Sequence, residues 1–302
     1  MTDTIAIIAA GEMGAGIGRR LHERGANVLT SLKGRSGASG ERAERAGMKP
    51  VDSDDALVAQ ADFFLSIAPP GEALALATRL TPALARAARK PIYVDLNAVA
   101  PETAVAIGDV VRTSGACYVD GGIIGAPPSG SYSPRLYVAG DDAKSVERLA
   151  AYGLTIRTVH GAIGAASALK MSYAGLTKGL TALGTSMILG AIRAGCADEL
   201  QTELAESQPN MLAWLARQVP NMYPKAYRWV AEMEEIAAFL KDDATASAIY
   251  QDIARLYERI ADVRSKSGAD DDELAELKRF CERASAPARK TATGLGTGRP
   301  GQ

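Results

Sequence analysis

Two features of this chain could do chemistry: a small-residue turn near its start and a lysine far downstream. Ala9, Gly11 and Gly14 follow the spacing Ala-x-Gly-x-x-Gly, behind an apolar stretch from Thr4 to Ala9 and ahead of a helix-like segment with Ile17 and Leu21 at helical spacing. Strand, tight turn and helix in that order suit a dinucleotide pyrophosphate. Small residues let the backbone approach the phosphates, and a helix N-terminus offers free N–H groups and a positive dipole end. Ala9, Gly11, Glu12, Met13 and Gly14 are therefore expected to contact a cofactor. Lys170 follows the glycines Gly161 and Gly164 and opens a long helical stretch, with Tyr173 and Ala174 on its face. A partly desolvated lysine there could exchange a proton with a hydroxyl or carbonyl while a nicotinamide exchanges hydride at the same carbon. Spacing alone does not separate that role from an exposed helix lysine.

The second strand, Asn27 to Ser31, bears on which dinucleotide binds. An NAD site places a carboxylate near this strand end to hold the ribose hydroxyls, and here none appears before Glu41. Instead Ser31, Lys33, Arg35 and Ser36 could surround a 2′-phosphate, which favours NADP(H) over NAD(H). A solvated basic loop is the alternative.

These residues need a scaffold, and the chain is long enough for one. Its 302 residues allow two domains with cores of their own, and 47% hydrophobic with 23% charged residues describes a globular chain. A net charge of −1 gives no electrostatic case for nucleic acid or an anionic membrane. Cys117, Cys196 and Cys281 are widely spaced and form neither a metal pattern nor a disulfide framework, which fits a reducing cytoplasm. The apolar opening is too short for a secretory segment, and no apolar run reaches transmembrane length.

Up to about His160 strand and helix signals alternate, which predicts a doubly wound, largely parallel sheet of the Rossmann type over residues 1–162. Strands are expected at Thr4–Ala9, Asn27–Ser31, Phe63–Ala68, Pro91–Asp95, Ala116–Asp120, Arg135–Ala139 and Leu154–Val159. Residues 163–285 carry only helical patterns, Ala165–Ala194, Asp198–Val219, Tyr223–Leu240, Ala244–Lys266 and Asp271–Ala284, and form an all-α C-terminal domain that includes the bridging helix. Asp198 is a candidate N-cap. Residues 286–302, rich in Gly, Thr, Pro and basic residues, read as a disordered tail.

With turn and lysine in register, the chain resembles the β-hydroxyacid dehydrogenase superfamily, which includes 3-hydroxyisobutyrate, tartronate semialdehyde and 6-phosphogluconate dehydrogenases. Ile8 to Gly14 is similar to the family's I-G-L-G-x-M-G, and Ser66-Ile-Ala68-Pro69 falls where the family has a Leu-Pro loop. Asp95-Leu-Asn97-Ala-Val-Ala-Pro101 resembles its D-x-S-T-x-x-P, so Ala68, Pro69 and Asn97 join the expected cofactor contacts. Gly161 to Lys170 resembles G-x-x-G-x-G-x-x-x-K with Ala166 for the third glycine, which implies that Lys170 is the general acid/base, assisted by Tyr173.

The departures concern the substrate. The family's D-A-P-V-S-G-G loop here reads Asp120-Gly-Gly122-Ile123-Ile124-Gly125, with Ile124 where a serine hydroxyl would hold the substrate carboxylate. Lys170-Met-Ser-Tyr173 replaces the family's K-x-x-N. These changes resemble a branch with the signatures D-G-x-I-I-G-x-P-P and A-L-K-M-x-Y-A and a helical motif like Arg228-Trp229-Val-Ala-Glu232-Met-Glu-Glu235. Asp120, Gly122, Ile123, Ile124, Gly125, Arg228 and Trp229 are the expected substrate contacts. Glu232 is expected on a solvated face or paired with Arg228 at helical spacing, and Lys178 is either a second cation in the cleft or a surface lysine. His22 reads as surface and His160 as a turn residue. The resemblance implies an alcohol–carbonyl oxidoreductase and a homodimer through the helical domain. Imine reduction on the same scaffold, or a non-catalytic NADP(H) sensor, are the rivals.

Overall fold

The computed structural model describes residues 2–267 and 272–285; the expected disordered tail lies outside the described residues. In chain order the N-terminal elements are β1 (Thr4–Ile8), α1 (Glu12–Glu23), β2 (Asn27–Thr30), α2 (Gly37–Arg45), β3 (Lys49–Pro50), α3 (Asp54–Gln60), β4 (Phe63–Ser66), α4 (Ala73–Arg86), β5 (Ile92–Asp95), α5 (Pro101–Arg112), β6 (Tyr118–Ile124), β7 (Arg135–Ala139), α6 (Ala143–Val146) and β8 (Thr155–Thr158). The strands form one sheet in the order β3-β2-β1-β4-β5-β6-β7-β8, with only the β6–β7 pair antiparallel. The strand order reverses direction between β1 and β4, so a crevice opens beyond their carboxyl ends, where the glycine turn lies. β3 escaped the sequence pattern because a two-residue edge strand holding a proline has no alternation to read.

Alternation along the strands builds a core on each face of the sheet. Ile5, Ile7, Phe63, Leu65 and Val94 pack with Ile17 and Leu21 of α1. Ala6, Ile8, Phe64 and Tyr93 pack on the other face with Leu57 of α3, Leu80 and Leu84 of α4 and Ile107 of α5. Each such buried aliphatic side chain contributes about 1.5–3 kcal/mol.

The remaining elements are helical: α7 (Ala165–Ala194), α8 (Ala197–Ser207), α9 (Pro209–Met222), α10 (Ala226–Phe239), α11 (Ala244–Ser267) and α12 (Asp272–Ser285). The single helix expected over Asp198–Val219 is two, broken at Gln208 where Pro209 starts the next helix without needing its N–H. Cys196, not Asp198, occupies the N-cap of α8, and Asp198 lies in the first turn. None of the described helices is long and apolar enough to cross a membrane.

The contacts divide the chain elsewhere than at 162/163. Among the described residues, one compact unit joins those up to Gly179 with Arg228–Glu258, and the other holds Leu180–Tyr227 and those from Arg259 onward. The first half of α7 groups with the sheet because α10 and α11 pack on it: a Cβ on Gly175 would stand 3.0 Å from the Tyr250 hydroxyl and 3.5 Å from Ile236. In the second unit Ile188, Leu189, Leu212, Leu215, Val219, Leu277 and Phe280 form a core, with Gly184 leaving room for Leu215.

A polar clamp ties β4 to β5 at the crevice. Asp95 is buried, and its carboxylate accepts from the Asn97 backbone N–H at 3.0 Å, the Asn97 amide and the Tyr118 hydroxyl at 3.2 Å. Asn97 also donates to Ser66 Oγ at 2.8 Å and accepts from the Ala68 N–H at 2.6 Å. Burial, reinforced by the like charge of Asp120, pushes the Asp95 carboxyl up to about 7. An unfolded aspartate ionises near about 3.9, so the stability this group contributes is complete below that range and declines as pH rises through about 7. Asp95→Asn, which cannot ionise, should lose this decline; melting curves across pH that stay parallel to wild type would refute it.

Candidate functional site

The turn between β1 and α1 is built by two glycines with different duties. A Cβ on Gly14 would lie 2.0 Å from the Ala9 carbonyl oxygen, so only glycine lets α1 pack on the strand end. A Cβ on Gly11 would meet nothing within 4 Å: space is open where the N-terminal N–H groups of α1 point. That cradle fits a dinucleotide pyrophosphate, with Gly11, Glu12, Met13 and Gly14 around it and Ala9 fixed by its N–H to the Ile67 carbonyl at 3.1 Å.

Beyond β2, Ser31 is buried, Lys33 and Ser36 are exposed, and Arg35 reaches Glu72 at 3.7 Å. Ser36 is the N-cap of α2 and makes no side-chain cap bond, and its hydroxyl lies 3.2 Å from that of Ser39. Arg42, which the sequence pattern missed, comes back from α2 to donate to the Ala10 carbonyl at 3.1 Å and to Ser39 Oγ at 3.1 Å. It braces the glycine turn against the basic loop. Its signal is faint because an arginine in a helix last turn looks like any surface arginine.

On the other side of the crevice, Pro69 is exposed and Ala68 half-buried. Asn97 makes its side-chain bonds within the fold. Its amide is spent on Ser66, Ala68 and Asp95, so it shapes the strand ends from beneath rather than reaching a cofactor with its side chain.

Asp120 also bonds within the fold. It is buried, and Oδ2 accepts from the backbone N–H groups of Gly164, Ala166 and Ser167 at 2.9, 2.9 and 3.2 Å. The Ser167 hydroxyl donates to Oδ1 at 2.6 Å. The carboxylate caps the N-terminus of α7. Burial pushes its carboxyl above the usual carboxylate range, and the bonds from Ser167, Ala166 and Gly164 oppose that rise. Ile123 belongs to the core on the α1 face of the sheet. Ile124 is 4% exposed and brings no polar atom. Gly125 (φ +131°) admits the Tyr132 hydroxyl, which a Cβ would meet at 2.1 Å.

Gly122 is the residue that places the lysine. A Cβ there would stand 2.8 Å from Lys170 Cβ, so the missing side chain lets α7 close on β6 with Lys170 at the contact. Lys170 is half-buried, while Tyr173 is 46% exposed. Tyr173 shares its side of α7 with the exposed Leu169 and Leu176.

Toward α10 lies a cluster that the sequence only hinted at. Lys178 is not a surface lysine: its ammonium pairs with Glu232, its side chain and that of Glu232 being 13% and 17% exposed. The same ammonium stands 4.9 Å over the Trp229 ring. Trp229 meets Tyr257 edge-on at 5.2 Å, and the Tyr257 hydroxyl donates to the Lys178 carbonyl at 2.6 Å. Burial pushes the Lys178 amine down to about 8, against the pull of Glu232 and with the push of Lys170 and Arg228. Glu232, which burial alone would raise, is held below the usual carboxylate range by Lys178, Lys170 and Arg228. The expected Glu232–Arg228 pairing is replaced: Arg228 reaches Glu12 at 3.3 Å, at the glycine turn. Glu235 accepts from the Ala100 N–H at 2.6 Å and so caps α5 from α10.

Residues 4–154 match the NAD binding domain of 6-phosphogluconate dehydrogenase, and residues 191–260 match a domain of unknown function, DUF1932. An uncharacterised 28.5 kDa protein of Methanothermus fervidus is 27% identical over 237 residues, spanning 78% of this chain and 90% of its own. A conserved protein of unknown function, described as structurally similar to 3-hydroxyacid dehydrogenases, is 28% identical with a TM-score of 0.67, covering 87% of this chain and 98% of its own. The 3-hydroxyisobutyrate dehydrogenase of Mycobacterium tuberculosis shares the fold at 20% identity and a TM-score of 0.63, over 95% of this chain and 100% of its own. An imine reductase from Myxococcus stipitatus, solved with NADP+, shares it at 19% identity and a TM-score of 0.52, over 92% and 99%. The cradle, the strand order and these matches agree: the chain belongs to the family of the 6-phosphogluconate dehydrogenase NAD-binding domain, within the β-hydroxyacid dehydrogenase superfamily, and carries an NAD(P)-binding domain followed by a helical C-terminal region.

Proposed function

We propose that the protein is an NADP(H)-dependent oxidoreductase that interconverts an alcohol, a β-hydroxy acid or a related compound, with its carbonyl, Lys170 being the general acid/base. The observation that supports this reading is the close approach of Gly122 on β6 to half-buried Lys170 on α7. A bound nicotinamide supplies the hydride acceptor or donor. Lys170 takes the hydroxyl proton in oxidation and returns it to the carbonyl oxygen in reduction. Tyr173, one turn along, orients the substrate oxygen. Gly11 to Gly14 hold the pyrophosphate, and Lys33, Arg35 and Ser36 hold the 2′-phosphate beside the start of α2. A second reading, imine reduction, is favoured by Ile124, which offers no hydroxyl to a carboxylate, and by the shared fold of imine reductases.

Cofactor-linked absorbance against hydroxy acids, uncharged alcohols and carbonyls, and cyclic imines separates these readings. Lys170→Ala should lower turnover by about a hundredfold or more while NADPH binding persists, and wild-type turnover in that variant would remove Lys170 from the chemistry. Lys33→Ala with Arg35→Ala should reduce the preference for NADP(H) by about tenfold or more, as loss of a charge-assisted phosphate contact requires; an unchanged ratio of the two cofactors' Kd values would remove that assignment.

We further propose a cytoplasmic homodimer. Free thiols at Cys117 and Cys196, both exposed, fit a reducing compartment. Leu169, Tyr173, Leu176, Leu180, Leu183 and Met187 recur at alternating four- and three-residue spacing along α7 and are all exposed, an apolar stripe suited to a second copy. Light scattering should give twice the 31.5 kDa chain mass, and a monomer at working concentration would exclude the dimer.

A further inference from the structure

The family hydroxyl that would hold a substrate carboxylate is missing at Ile124, yet the unit holding Lys170 concentrates positive charge a short way along α7. Lys170 and Lys178 both project from α7, and Arg228 from α10. All three act on the same carboxylate, Glu232, and Lys170 and Arg228 both act on Lys178. Lys178 is paired with Glu232, and Arg228 meets Glu12 in an exposed contact. Like charges gathered near one largely buried ion pair repel one another, and partial desolvation strengthens that repulsion. An ammonium also has three donors. On Lys178 one is directed to Glu232, and the Trp229 ring covers another side without accepting a conventional hydrogen bond.

We propose that Lys178 and Arg228, with Lys170 beside them, form an anion subsite that holds a carboxylate or phosphate group of the substrate. It is a specificity-determining site that takes over from the hydroxyl lost at Ile124. Glu232 and Trp229 are positioning residues: the carboxylate fixes the ammonium from one side and the indole from another, so the remaining face is turned to ligand. The ring of contacts from Tyr257 to Trp229 and to the Lys178 carbonyl keeps α7 and α11 in step with α10, so the subsite is formed before ligand arrives. The assignment rests on the reading that the substrate's reacting carbon lies at Lys170.

Trp229 reports on the subsite directly, without a known substrate. The chain has two tryptophans, so Trp214→Phe leaves Trp229 as the only one. Its fluorescence is followed in the full chain at constant ionic strength while malonate, inorganic phosphate or the uncharged malonamide is added. A saturable change with malonate or phosphate and none with malonamide is expected, and the tighter of the two anions identifies the group as carboxylate or phosphoryl. Lys178→Gln combined with Glu232→Gln removes the pair without stranding a charge, and Arg228→Ala removes the second cation. Each should weaken anion binding by at least about tenfold while thermal melting shows a folded protein. A response to malonamide equal to that of malonate, or undiminished anion binding in the folded double variant, overturns the proposal. A flat anion titration together with lost turnover in Lys170→Ala removes the subsite and leaves the hydride chemistry standing. Saturable anion binding together with wild-type turnover in Lys170→Ala supports the subsite and removes the chemistry.

Discussion

The position of Lys170 depends on one buried carboxylate. Asp120 gathers three backbone N–H groups and a hydroxyl from the first turn of α7, groups that a helix cannot satisfy for itself. The negative charge sits at the positive end of a 30-residue helix, and the strand that carries it is thereby joined to the helix that carries Lys170. Gly122, two residues further along the strand, then sets how near the two backbones come. The same arrangement bears on its neighbour. Asp95 and Asp120 stand opposite each other on β5 and β6, burial raises both carboxyls, and the like charge of Asp120 adds to the rise at Asp95.

What was legible in the sequence was whatever is local. Gly11 and Gly14 carry their meaning in a short run with a strand on one side and a helix on the other, and Lys170 follows its glycines at fixed spacing. The alternation of strand and helix was legible for the same reason. Asn97 and Asp120 were recognised as special residues, but the groups they bond within the fold were not. A polar side chain in a loop at a strand end reads the same whether it faces a ligand or an orphaned backbone group, and here the backbone has it. The pairing of Lys178 with Glu232 spans 54 positions, and the bond from Glu235 to Ala100 spans 135, so neither leaves a trace in any window of sequence. The break at Gln208 was readable from Pro209, but helical periodicity on both sides concealed it.

α10 has a wider reach than its length suggests. Within its unit Arg228 extends to Glu12 at the glycine turn, Glu232 to Lys178 on α7 and Glu235 to Ala100 at the start of α5. Three side chains on one helix thus touch the turn assigned to cofactor, the helix carrying the lysine, and the loop that follows β5. Most of the energy of these contacts lies in the partly buried ones, because the exposed Arg228–Glu12 pair is screened by solvent. The exposed pair is the one free to exchange partners.

The two glycines of the first turn have a consequence of their own. Gly14 is required by the protein's interior, since any side chain there would strike the Ala9 carbonyl, whereas Gly11 relieves no crowding at all. Within four residues, then, the capacity to fold and the capacity to receive a guest are written at separate positions. Selection can act on one without disturbing the other. A descendant that gave up its nucleotide could fill position 11 with a larger residue and keep its architecture, while position 14 would stay glycine for as long as the sheet exists.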